Sequence, residues 1–261
     1  MKPASSRSAR RLAAKSGKAI TLADLGARVE KARPKGLNPT VTARAKRILA
    51  SYLQTADAHG LPAKDVIAEM ASGQAAWRLG HAVRDEIMKN PPEAVIQAAC
   101  KEGCAFCCIL TEGDGGLITQ FEAEQLHAAL APAAGKPDGR SWHLKGCPSL
   151  DPETRKCRAY EARPMICRSF LSTDASACER NADGGEEPGA GLLGNHLDYL
   201  AIHALCRAAL KGITMVQSYS MADIAAHTVE GADQATTLAA GKHAPKALDQ
   251  TVQDAMKAAG G

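Results

Sequence analysis

Aromatic residues are scarce, at 3% of the chain: two Trp, four Tyr and three Phe. Stacking on nucleic-acid bases therefore has little to work with, and an interior must be built from Ala, Leu, Val and Ile, a composition that favours helices. No apolar run is long enough to span a bilayer, so no membrane association is expected. The N-terminal stretch lacks the uninterrupted apolar core of a secretory signal, because Lys15 and Lys18 interrupt it, and a cytoplasmic protein without disulfides is expected. Also missing are a Gly-rich phosphate loop, a Ser–His–Asp pattern, an internal repeat and a spaced carboxylate pair. Asp151 and Glu161 read as solvated or ion-paired. Acidic residues are rare at the start: residues 1–47 hold 13 Lys or Arg against only Asp24 and Glu30. Such a leader reads as a solvated tail, an organellar transit peptide or a nucleic-acid arm. Nucleic-acid binding is not expected beyond it.

Cysteine is abundant instead. Of nine, eight fall between residues 100 and 178: Cys100, Cys104, Cys107, Cys108, Cys147, Cys157, Cys167 and Cys178. The first four form C-x3-C-x2-C-C. Thiolates two or three residues apart can converge on one soft cation without a large fold behind them. In a helix, positions 100, 104, 107 and 108 would share one face; in a Gly-broken loop, Cys104 and Cys107 alone make a two-thiolate bite. Adjacent side chains diverge, so Cys107 and Cys108 suit a polynuclear cluster, or two sites, better than one mononuclear ion. Eight thiolates could fill two four-sulfur sites, or one four-cysteine cluster and a second site. Cys206, in an apolar helical run from Leu197, reads as core. Among the histidines, His143 lies four residues before Cys147 and is the best additional ligand candidate; His127, His196 and His203 are weaker ones.

Segment 100–178 resembles the YkgJ-type cysteine-cluster family of zinc- or iron-chelating domains. The resemblance runs through Cys100-x3-Cys104-x2-Cys107-Cys108, then Gly146-Cys147-Pro148, then Cys157-x2-Tyr160-x2-Arg163-Pro164-x2-Cys167-Arg168-x-Phe170, and on to Cys178. It implies metal or iron–sulfur ligation by all eight cysteines and no single activity; a flagellin lysine N-methylase carries a similar module. The chain departs from many members in having Ala105-Phe106 between Cys104 and Cys107, which affects the local turn. Pro164 should stiffen the bend before Cys167. Arg163 and Arg168 should bring positive charge to the thiolates, and Arg158 could equally do so or pair with Glu153 or Glu161.

The expected fold is mainly α, with an irregular, metal-nucleated cysteine domain flanked by helices. Its divisions are a basic flexible arm (1–37), a helical segment (38–99), the cysteine domain (100–178), a Gly-rich linker (179–194) and a C-terminal helical segment (195–261). Helices are expected from Asn38–Pro39 to His59, from Pro62 to Ile87, and from Pro92 up to Cys100. Others follow the Thr119–Glu122 capping box and run from Leu197 to Leu210, with weaker signals over 221–229 and 248–256. The expected function is binding of zinc or an iron–sulfur cluster in a closed structural or sensory site, with a protein partner on the helical flanks. The adjacent Cys107 and Cys108 weigh towards iron. The alternative is an iron–sulfur-dependent enzyme, redox or protein-modifying, with the cluster near its active site.

Overall fold

The computed structural model describes residues 20–111, 113–188 and 190–260. The described residues are mainly helical, as expected, but the first helix among them lies inside the segment read as a flexible arm. Helix α1 (Leu22–Lys31) opens with a capping box in which Thr21 and Asp24 satisfy each other's backbone amides, and it buries Leu22, Leu25 and Val29. Three apolar residues on one face outweigh the basic surround, because each large aliphatic removed from water contributes about 2 kcal/mol. The arm is thus corrected for residues 22–31; residues 1–19 lie outside the described residues.

Helix α2 (Pro39–Ala58) starts where the sequence placed it, with Asn38 accepting from the Val41 amide and Pro39 in the first turn. The next expected helix is two: α3 (Ala63–Ser72) and α4 (Gln74–Lys89), divided at Gly73 with φ +84°. A Cβ on Gly73 would lie 2.3 Å from Thr119, so close packing against a distant segment dictates the break. Helix α5 (Glu93–Ile96) is a single turn, ending before Cys100.

Strand β1 (Leu117–Thr119) leads into helix α6 (Gln120–Leu130), whose Thr119–Glu122 capping box forms as read. Helix α7 (Met165–Ser169), strand β2 (Phe170–Ser172) and helix α8 (Ala175–Ala182) follow the cysteine motif. Strand β3 (Ala190–Leu192) pairs antiparallel with β2, Phe170 opposite Leu192. The segment read as a linker therefore holds the end of α8 and a strand, tied back to the cysteine region. Helix α9 (Asn195–Ala209) is buried on nearly every side. Strand β4 (Ser218–Ser220) pairs antiparallel with β1, Leu117 opposite Ser220, and is followed by α10 (Met221–Val229), α11 (Gln234–Ala240) and α12 (Ala247–Gly260).

Two hydrophobic cores result. The first wraps α1, α2, α3, α4 and α12 around α9, and includes Cys206, which is buried as a core residue. The second joins α6 and α10 to the cysteine loops: Ile118, Leu126, Leu130, Leu150 and Ile224 pack there with Cys147, and Cys108, Cys157 and Cys167 lie against them. Helix α7 belongs to both, with Met165 in the first core and Ile166 and Cys167 against the second.

Candidate metal centre

Three separate stretches bring thiols to the second core. A 3-10 turn over Phe106–Cys108 carries the adjacent pair. A loop returning on itself carries the next two: Leu150 bridges antiparallel to Cys157, while the Cys147 amide donates to the Cys108 carbonyl at 2.7 Å. The Asp151 carboxylate folds the intervening turn by accepting from the Thr154 amide (2.9 Å) and hydroxyl (2.9 Å), and it pairs with Arg158 at 3.0 Å. Gly146, just ahead of Cys147, allows this return, since a Cβ there would sit 2.1 Å from the Gly139 carbonyl oxygen. Helix α7 supplies Cys167. Pro164 caps it, and Arg163 is extended, with ψ 131°, as the X-Pro step requires.

Glu122, buried on α6, holds α7 in position. Its carboxylate accepts from the Met165 amide at 2.7 Å, from Thr119 at both amide (2.9 Å) and hydroxyl (2.8 Å), and from the Tyr199 hydroxyl. The capping box was legible in the sequence; its reach to Met165 and Tyr199, 43 and 77 residues away, carried no local signal.

Cys107, Cys108, Cys147, Cys157 and Cys167 lie within electrostatic reach of one another. The Cys108 thiol hydrogen-bonds Cys107, which draws the Cys107 pKa down to about 7 with some help from Arg163, and holds Cys108 well above its ordinary value. Burial raises the other three, Cys157 to about 11, even though Ser149 donates to the Cys147 sulfur and the Ala159 amide to that of Cys157. Arg163 stacks on Tyr160, its guanidinium 3.7 Å from the ring centroid, and favours the charged form of Cys107, Cys157 and Cys167. Arg168 donates to the carbonyls of Arg163 (2.8 Å) and Glu161, bracing that loop, whereas Arg158 pairs with Asp151 and with neither Glu153 nor Glu161. The Cys167 sulfur also meets the Met221 sulfur of α10 at 3.4 Å, a contact the sequence did not announce.

The other three cysteines lie outside this group of thiols. Cys104 directly precedes Ala105, which packs in the second core, and Glu102, two residues before it, pairs with Lys156 at 2.5 Å. Helix α8, which carries Cys178, packs on the 106–108 turn. Cys100 is apart, its sulfur 3.3 Å from the Ser172 amide. Among the histidines, His143 Nδ1 accepts from the Lys145 amide at 3.1 Å and shapes its own loop. His127 bonds the Ala232 carbonyl at 3.2 Å, and His196 and His203 are buried beside Tyr199.

Among the described residues the sulfurs are gathered without being drawn to one point: no three Cys, His, Asp or Glu side chains stand in metal-holding geometry. The donor set nonetheless suits a thiophilic cation. Buried thiols that raise one another's pKa values cannot ionise together alone, and a shared cation removes that conflict by replacing their protons. No helix among the described residues is long and apolar enough to cross a membrane. No curated protein and no solved structure matches the chain. A family model, CxxCxxCC, described as "Putative zinc- or iron-chelating domain", matches residues 99–188, about a third of the sequence. That stretch of the chain is similar to this cysteine-cluster family, in keeping with the resemblance read from the motif.

Proposed function

We propose that Cys107, Cys108, Cys147, Cys157 and Cys167 form the heart of a thiolate metal site that holds iron as an iron–sulfur cluster. The remaining cysteines of the motif, Cys104, Cys178 and Cys100, complete it or a second site as their loops close. The observation that carries this reading is the gathering of sulfurs from three stretches: Cys108, Cys147, Cys157 and Cys167 lie against one core, Cys107 hydrogen-bonds Cys108, and the carboxylate within their reach, Asp138, is already paired with Arg140. Five sulfurs exceed what one tetrahedral zinc accepts, and the adjacent Cys107 and Cys108 serve a polynuclear site most simply. The site's role is structural or sensory: four of the five sulfurs are half-buried or buried, which favours a closed site. A docked protein partner on the helical flanks would read its state.

An enzymatic reading rests on two observations. Cys107 is exposed, and a cavity of about 150 Å³ lined by Trp77, Phe121, Gln125, Glu161 and Arg163 opens beside the arginine of the site. A substrate there would meet the cluster through Arg163.

Anaerobic purification with metal and sulfide analysis tests the assignment. A brown protein containing iron and acid-labile sulfide is expected, with both lost in Cys107→Ser and Cys157→Ser and retained in Cys206→Ser. A colourless protein holding zinc would overturn iron while leaving the thiolate site standing. Equal metal in all three variants would overturn the ligand assignment.

A further inference from the structure

On the first core, away from the cysteines, lies a cleft of about 360 Å³ between the chain after α1, the end of α9 and the start of α12. Its volume is that of a small-ligand pocket. Its wall is apolar: Ala204 and Ala208 on α9, Val216 behind them, and Met215, 67% exposed at the rim. Its charged lining is one-sided. Arg33, Lys35, Arg207 and Lys211 contribute four cations against Asp249, which is already paired with Arg207. Among the described residues neither Lys35 nor Lys211 has an ion-pair partner, and Arg33 reaches only the carbonyls of Glu30 and Ala32, each at 2.9 Å. The carbonyls at the end of α9, which would otherwise repel an anion, are covered: Arg28 donates to Ala209 O at 2.6 Å and to Lys211 O at 2.5 Å. His243 also lines the cleft, and its Nδ1 is buried without a hydrogen-bond partner.

We infer that this cleft binds a small organic anion, its apolar body against Ala204, Ala208 and Val216 and its phosphate or carboxylate head held by Lys35, Lys211 and Arg33. Unpaired cations beside an apolar wall suit a ligand that carries both features: its apolar body takes that wall out of water and its charged head makes charge-assisted hydrogen bonds. His243 turns its Nε2 to Asp114 at 3.7 Å and is left out of the anion contacts. The inference is independent of the metal reading.

Isothermal titration of the full chain as purified with 1-naphthyl phosphate tests it. Saturable one-to-one binding is expected, weakened about tenfold or more in the double variant Lys35→Glu, Lys211→Glu and unchanged in Lys64→Glu on α3. Met215→Ser, which removes apolar rim without adding charge, should weaken 1-naphthyl phosphate and leave inorganic phosphate unaffected. If the double charge reversal fails to fold by circular dichroism, Lys35→Ala with Lys211→Ala carries the test, and unchanged affinity there overturns the proposal. Absence of saturable binding would overturn it, as would equal weakening by Lys64→Glu. So would tighter binding of a single-stranded oligonucleotide that the same reversals abolish, since the surface would then be a nucleic-acid site.

Discussion

His196 and His203 lie about two turns apart on α9, both buried against Tyr199, and burial brings each pKa down to about 4. Both are therefore neutral in the folded chain, while an unfolded histidine titrates near 6.5. Between those values the unfolded state binds the extra proton, so stability falls as pH drops from about 6.5 towards 4 and is regained as pH rises. The loss amounts to at most about 3 kcal/mol per histidine. Urea unfolding at pH 7 and pH 5 should show it, and the double substitution His196→Gln, His203→Gln should flatten the difference. Glu122 is a second sensitive residue. Glu122→Ala leaves the Met165 amide and the Tyr199 and Thr119 hydroxyls without their acceptor in a buried place, a cost of about 3 kcal/mol or more. Because that carboxylate pins the first turn of the helix bearing Cys167, metal per chain should fall with stability, whereas Glu122→Gln, whose single amide oxygen keeps one of the two acceptor positions, should lose less of both.

Elements, too, meet constraints from afar. Gly73→Ala would normally favour a helical chain, yet here the left-handed backbone and the methyl's clash with Thr119 reverse the sign. A loss of about 2 kcal/mol or more is expected in thermal unfolding. Where neighbours along the chain decide the structure, it could be read in advance: the Asn38–Pro39 start of α2, the Thr119–Glu122 box, the apolar run of α9 and the extended step before Pro164. The same holds for α1, whose Thr21–Asp24 box was present in the letters but hidden by the surrounding charge. Leu25→Ala should cost about 3 kcal/mol, a result no flexible arm could give. Where distant residues decide, nothing in the sequence announced the outcome. Gly73 divides a helix because Thr119 crowds it, and three-residue strands such as β1 and β4 carry no periodicity to recognise. The cysteine motif singled out eight sulfurs, but it could not say that Cys107, Cys108, Cys147, Cys157 and Cys167 would lie close while Cys100 turned to Ser172. Those positions follow from the paths of loops.

For the molecule as a whole, α7 joins the two cores through Met165 on one side and Cys167 on the other. Removing metal with a thiol-compatible chelator should therefore lower the melting temperature of the entire chain in one transition. Two separated transitions, only one of them sensitive to the chelator, would show that the cores are uncoupled. The pairing of β1 with β4 has a temporal corollary. The wall behind the sulfurs is made partly by Tyr219, Met221 and Ile224, near the far end of the chain. During synthesis every cysteine of the motif emerges before that wall exists. The nascent thiols consequently lack their cover until residues 219–224 have left the ribosome, and orderly filling of the site waits for that segment.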